Sequence, residues 1–487
     1  MSQVTKKISK DLKTTVRIKH VNFALFNSML LEGTLVEDLK KDTLLYAGTV
    51  KVNITDWFFF KDKIELQYIG LQDAVIHLNR VDSTWNYNFI MDYFTGPPSP
   101  KQNQKNIDLN LRTVEFDNIS IIQKDQWRGE DMHARIRSLD IDAKEINFNK
   151  RVMRINTINL TDPYFAIYDY PGRRVRRPVA TGDEEEIIND TANLRWNPGK
   201  WNIAIDKLKM ENGVFRNDVQ TDRDMYASFD GAHILFENIT GTFTGCRLIQ
   251  DSITANISLK TKERSGFEVK KLTAKMKFHP EAMEFHDLDL LTDRSHLHDF
   301  FAMRYRTFDD MSDFETKVRM EGNFDNAIVS SDDIAYFAPE LKDWKKRIQV
   351  NGTVKGTVDN LNGKNLVIEA GNDTYLKGNI SMAGLPDIDK TYIDFEAENF
   401  RTTYKDAISF VPQLKKVDQP RLDVLEYLRF KGNFTGFLSD FVTYGSLETK
   451  LGTLVTDLNM KLPSNAVSRY SGNIKTTGFD VGKLIDN

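Results

Sequence analysis

One cysteine, Cys246, stands among 487 residues. No intramolecular disulfide framework is possible, and neither is a Cys-rich zinc site or C-x-x-C redox chemistry. The compartment is not decided by this, because an oxidising space tolerates proteins without cystines. No stretch reaches the roughly 18 apolar residues that a spanning helix needs. The densest run, Trp57-Phe58-Phe59-Phe60, is framed by Asp56 and Lys61. The opening MSQVTKKISKDLK has no apolar h-region and is not a signal peptide. An excess of positive charge is also missing. Lys and Arg number 66 against 70 Asp and Glu, a formal net charge of -4, so no nucleic-acid partner is expected. G-x-S-x-G, G-x-x-x-x-G-K-[ST] and G-x-G-x-x-G are absent. The expectation is a protein that is not an enzyme and uses no cofactor.

What the chain does contain is a period of two. In Ser252–Lys260, Ile253, Ala255, Ile257 and Leu259 fall on one face while Thr254, Asn256 and Ser258 point outward. Leu272, Ala274, Met276 and Phe278 repeat the pattern, as do Leu428, Phe430 and Phe434. Strands apolar on one face and polar on the other belong to antiparallel sheets. Asn362-Gly363 between Val354–Val358 and Leu366–Ala370, then Gly371-Asn372-Asp373 before Tyr375–Met382, reads as a meander of hairpins. The chain is too long for one ordinary core, so it holds several domains or one elongated repeat. At 40% hydrophobic it can bury a large surface. The expected class is all-β with few short helices: an amphipathic one over residues 1–15, another over Asp332–Lys346, and one within Ile408–Leu428.

A loose repeat runs through the first half. An apolar residue, any residue, Asp or Asn, two residues and an apolar residue recur at Leu71–Ile76, Phe116–Ile121, Leu160–Phe165 and Met210–Phe215. The step is about 45 residues, typical of a stacked supersecondary unit. In each copy the alternation changes phase at Asp73, Asn118, Asp162 or Asn212. A phase slip sends later side chains to the other face unless the strand bulges or turns, and Asp and Asn suit such corners. Two segments break the rhythm. Thr95–Asn106 is polar and Pro-rich, and 172–199 carries Arg173, Arg174, Arg176 and Arg177 before an acidic run from Asp183 to Glu186. The opposite charges of the second suit a solvated loop.

The one cluster of metal-ligating residue types is His279, His286, Asp287, Asp289, Asp293, His296, His298 and Asp299. Its spacing matches no ligand signature, and polar strand and turn positions account for it, although His296 and His298 share one strand face. No metal is expected. Aromatics are abundant on the apolar faces, with 31 Phe and 16 Tyr. A sheet this long needs cover over its apolar face. The helices are too few to provide it, so the sheet either folds on itself or lines a groove filled by an apolar ligand. The candidate groove-lining residues are Phe116, Phe148, Ile253, Ala255, Ile257, Leu259, Leu272, Met276, Phe278, Leu428 and Phe430.

Two blocks carry a family resemblance. VRIKHVNFALFNSMLLEGTLVEDLKKDTLLYAGTVKVNITDWFFFKDK (Val16–Lys63) resembles the start of the periplasmic region of AsmA-like proteins, especially TamB-type translocation and assembly proteins. LRFKGNFTGFLSDFVTYGSLETKLGTLVTDLNMKLP (Leu428–Pro463) and YSGNIKTTGFDVGKLI (Tyr470–Ile485) are similar to repeats further along that family. The resemblance implies an elongated, twisted antiparallel sheet folded into a half-pipe, the β-taco, with an apolar inner groove. It implies a protein of the periplasm, anchored in the inner membrane by an N-terminal helix that this sequence lacks. The function implied is carriage of phospholipids toward the outer membrane, and, for TamB-type members, assembly of outer-membrane proteins with a β-barrel partner. On this reading residues 1–15 follow the missing anchor, 16–171 form a first groove segment, 172–199 a charged loop, and 200–487 a continuing groove open at its C-terminal end.

Two other classes compete. A transmembrane β-barrel would show aromatic girdles and spanning strands of about nine to eleven residues at steady intervals. A cell-surface or periplasmic adhesin or glycan-binding array would show units of roughly 100 residues. The irregular insertions and corner repeats argue against the barrel, and neither discrete units of that size nor exposed aromatic platforms are seen for the array.

Overall fold

The computed structural model describes residues 2–24, 28–54, 63–95, 106–147, 150–173, 195–411, 414–415, 417, 420–461 and 469–486. Trp57–Phe60, Phe148 and most of both rhythm-breaking segments lie outside the described residues. Among the described residues the chain is all-β, with twenty-four strands and few short helices. Ser2–Leu12 is helical, as its apolar spacing predicts. Asp332–Lys346 is not one helix but the turn Ser331–Ile334 and the 3-10 turn Pro339–Leu341. Proline at 339 lacks the N–H that would continue the first turn. Ile408–Leu428 likewise resolves into the end of helix Tyr404–Phe410 and the 3-10 turn Leu422–Leu425.

The chain divides into two compact units. The first holds Met1–Met225, Ala232–Arg264 and Met276–Pro280; the second holds Tyr226–Gly231, Ser265–Lys275 and Glu281–Asn487.

In the first unit the strands are β1 (Val16–Arg17), β2 (His20–Ala24), β3 (Ser28–Glu37), β4 (Thr43–Ile54), β5 (Lys63–Arg80), β6 (Asn106–Asp125), β7 (Glu130–Asn147), β8 (Val152–Thr161), β9 (Tyr164–Asp169), β10 (Asn202–Val219), β11 (His233–Ile249) and β12 (Ser252–Glu263). β1 and β2 both pair with β3, and β8 and β9 lie in line between β7 and β10. Most neighbours are antiparallel, but β5–β6 and β8/β9–β10 are parallel. The mostly antiparallel sheet that alternation predicts thus contains two parallel pairings. A parallel neighbour requires a crossover of a dozen or more residues rather than a hairpin. The two crossovers, 81–105 and 170–201, contain the two segments that interrupt the sequence rhythm.

β13 (Glu268–His279) is split by the division of units. The second unit continues with β14 (Ala282–Thr292), β15 (His296–Arg304), β16 (Arg319–Ser330), β17 (Arg347–Gly356), β18 (Asn360–Ala370), β19 (Thr374–Ala383), β20 (Tyr392–Thr403), β21 (Tyr427–Phe437), β22 (Asp440–Thr449), β23 (Gly452–Lys461) and β24 (Arg469–Thr477). From β14 onward each strand pairs antiparallel with the next, the expected meander. The hairpin expected at Asn362-Gly363 is displaced. The chain turns at 357–359, and Gly363 lies inside β18. A Cβ on Gly363 would stand 2.3 Å from Leu366 Cδ1, so this glycine makes room for a leucine rather than a turn.

The Asp/Asn corners are real and have a common backbone. Asp73, Asn118, Asp162 and Asn212 all adopt positive φ, between 48° and 56°. Asn118 Nδ2 donates to Asp73 Oδ1 at 2.6 Å, and Asn212 Nδ2 donates to Asp162 Oδ1 at 2.7 Å, each across one of the parallel pairings. At these points the apolar spacing changes from two to three. Ala47 and Val50, Leu71 and Ala74, and Phe116 and Ile119 pack into one cluster from three strands. The left-handed residue absorbs the phase slip, so side chains on both sides of the corner stay on the inner face. The same inner face holds a larger cluster of Leu111, Val114, Leu139, Ala143, Ile146, Ile155 and Ile158. The copies do not form one repeated supersecondary unit, because Asp73 and Asn118 sit on parallel neighbours whereas Asn118 and Asp162 are separated by β7.

Asn118→Gly is expected to lower stability only modestly, through loss of the bond to Asp73. Asn118→Val, a β-branched residue forced to positive φ, should cost about 1–2 kcal/mol more. Urea unfolding of the two variants measures the difference, and equal stabilities would show that the corner needs no left-handed residue.

Candidate functional site: an uncharged face in the second unit

Strands β21 to β24 keep unbroken alternation, so each face can be read from the register. Leu428, Phe430, Gly432, Phe434 and Gly436 on β21 oppose Thr449, Leu447, Gly445, Thr443 and Phe441 on β22. These in turn oppose Gly452, Leu454, Thr456, Leu458 and Met460 on β23, and the last four of those oppose Thr476, Ile474, Gly472 and Tyr470 on β24. No charged residue occurs on this face. All eight charges of the four strands, Arg429, Lys431, Asp440, Glu448, Asp457, Lys461, Arg469 and Lys475, alternate onto the other. There Arg429 meets Glu448 at 3.2 Å and Lys461 meets Asp440 at 2.8 Å.

The uncharged face is apolar but not sealed. Leu428, Phe430, Phe434, Phe441, Leu447, Leu454, Leu458 and Met460 are half-buried, and Tyr470 and Ile474 are 55% and 53% exposed. Phe434 and Phe441 pack with centroids 4.7 Å apart and ring planes tilted by 32°. Gly432 faces Gly445 at the middle of the strands. A Cβ on Gly432 would reach the Tyr444 carbonyl oxygen at 2.1 Å, so the two backbones press together there. Together these residues make a floor of leucine and phenylalanine broken by glycine and threonine, whose only polar side-chain groups are hydroxyls.

The other candidates lie elsewhere. Phe116 packs in the corner cluster of the first unit. On β12, Ile253 and Leu259 are half-buried, whereas Ala255 and Ile257 are only 6% and 5% exposed and offer a ligand no surface. Asn256 and Ser258 are exposed, as the alternation predicts. Leu272, Met276 and Phe278 on β13 are half-buried. Leu428 and Phe430 are the candidates that fall on the uncharged face. Phe434, placed on the apolar face by its alternation but not among the candidates, lies there too, and Phe441, Leu447, Leu454, Leu458 and Met460 were missed, although alternation within the Leu428–Pro463 block marks them.

Most of the His/Asp cluster disperses. His286 pairs with Glu284 at 3.3 Å, Asp287 with Lys275 at 2.7 Å and Asp293 with Lys270 at 2.8 Å. Asp289, His296 and His298 come together on the charged face of β14 and β15. Lys271 donates to Asp289 Oδ2 at 2.6 Å, and this bond, with that to His296, holds the Asp289 carboxyl below its ordinary range. Comparison with protein-family models, curated proteins and solved structures finds no match to this chain.

Two arginine substitutions separate sealed from open apolar surface. Ile257→Arg buries an unpaired charge and is expected to cost more than about 3 kcal/mol. Phe434→Arg can lay its stem on the apolar floor with its head in water, and should cost less than about 2 kcal/mol. Urea unfolding reads both, and a reversed order would contradict the assignment of the two surfaces.

Proposed function

We propose that the chain is a lipid-carrying β-groove protein of the AsmA-like kind, whose uncharged strand faces hold phospholipid acyl chains while head groups stay at the wet rim. The reading is of a periplasmic protein that helps phospholipids pass between inner and outer membranes. The observation that carries it is the segregation over β21–β24: every charge on one face, and an incompletely buried floor of Leu, Phe and Met on the other. Apolar surface left in water costs about 25 cal/mol per Å², and acyl chains remove that cost without specific hydrogen bonds. Glycine and threonine among the larger side chains leave room for chains of varied length. The periplasmic setting, the inner-membrane anchor and a β-barrel partner in outer-membrane protein assembly rest on the resemblance of Val16–Lys63, Leu428–Pro463 and Tyr470–Ile485 alone.

Native mass spectrometry of gently purified protein should find phospholipid bound. Phe434→Arg with Leu458→Arg places two charges across the floor and should reduce the bound fraction at least several-fold. Asn433→Arg, on the opposite face, should leave it unchanged. A lipid-free wild type, or equal occupancy in all three, would refute the proposal.

A further inference from the structure

The charged face of the second unit holds a second kind of site. Asp289 lies directly opposite His298 in the β14–β15 register, and His296 follows the same face two residues away. Their ligating atoms all lie within 4.8 Å of one another. Asp289 Oδ1 is 2.7 Å from His296 Nε2 and 3.8 Å from His298 Nδ1. The two imidazole rings are tilted at 54° with centroids 3.8 Å apart.

We propose that Asp289, His296 and His298 form a surface site for a divalent late transition metal such as zinc, nickel or copper. Two imidazole nitrogens and one carboxylate oxygen are a donor set for these ions, whereas calcium and magnesium require more oxygen ligands than the site offers. Zinc binds such donors at about 2.0–2.2 Å, which sets neighbouring donors near 3.4 Å apart on a tetrahedral ion. The observed separations of 2.7 and 3.8 Å bracket that value, so small side-chain rotations complete the set. The residues are 29%, 35% and 37% exposed, leaving an entry path and room for water in the remaining position. Lys271 on β13 occupies Oδ2 of Asp289 and leaves Oδ1 turned toward the two histidines, the orienting role that outer partners of metal ligands perform. Its positive charge opposes the incoming ion, so the site is weaker than one without that lysine. The sequence spacing did not reveal the set because Asp289 joins it only through strand pairing.

The test is isothermal titration calorimetry of the full chain, freed of metal by chelator, with zinc chloride and separately with nickel chloride. The wild type should bind one equivalent saturably. Asp289→Asn, His296→Ala and His298→Ala should each weaken binding at least tenfold. His286→Ala, on the same strand but paired with Glu284, should not. Zinc should raise the thermal midpoint of the wild type and not that of His298→Ala. Circular dichroism establishes that the variants are folded, and His298→Asn supplies a milder substitution if alanine is not tolerated. Absence of saturable binding, or one equivalent surviving unchanged in the His296→Ala/His298→Ala double variant, would overturn the proposal.

Discussion

The structure depends on keeping apolar side chains on one face of strands that must also turn a corner. A strand alternates strictly, so any change of direction threatens to send half of its leucines and valines into water. The chain meets the constraint with single residues at positive φ. Leaving aside Asp486 beyond the last strand, nine of them are Asp or Asn: Asp73, Asn118, Asp162, Asn212, Asn238, Asp287, Asp299, Asn326 and Asn365, with φ between 48° and 89°. An L-residue there costs roughly 1–2 kcal/mol, and Asp and Asn suffer least because their short side chains bond locally. Here they also bond to one another or to neighbouring strands: Asn323 donates to Asp299 at 2.7 Å, and the Asn326 N–H donates to Asn351 at 2.7 Å. The corners are therefore stitched polar seams with apolar faces on their inner side.

This constraint explains what the sequence made legible. Phase changes at Asp73, Asn118, Asp162 and Asn212 were visible because Leu71–Ile76 and its counterparts are apolar on both sides. The same pattern stands in Phe285–Leu290, Leu297–Ala302 and Phe324–Val329, around three further left-handed residues, so it is not confined to the first half. The two parallel pairings were not legible. Alternation says which face a side chain takes but nothing about the direction of the neighbouring strand. Only the length of the interrupting segments hinted at crossovers. Gly363 misled for a related reason: Asn-Gly marks a hairpin when the glycine must turn, but here it gives way to a leucine side chain.

Burial was the other quantity the sequence could not supply. Ile257 and Phe434 have the same pattern of neighbours, yet one is sealed and the other is not. In the first unit the inner faces of β6, β7 and β8 close into a packed cluster around Val114 and Ile158. In the second, β21 to β24 segregate charge as cleanly but leave their apolar floor accessible. A face that is both uncharged and uncovered is unstable in water unless something apolar lies on it, and this links packing to the proposed function.

The most direct measurement is site-specific photo-crosslinking in cells. A photoreactive phenylalanine analogue placed at Leu458, on the uncharged face, should capture phospholipid; the same group at Asp457, one residue away on the charged face, should not. Capture from both positions alike, or from neither, would contradict the claim that the uncharged face carries acyl chains.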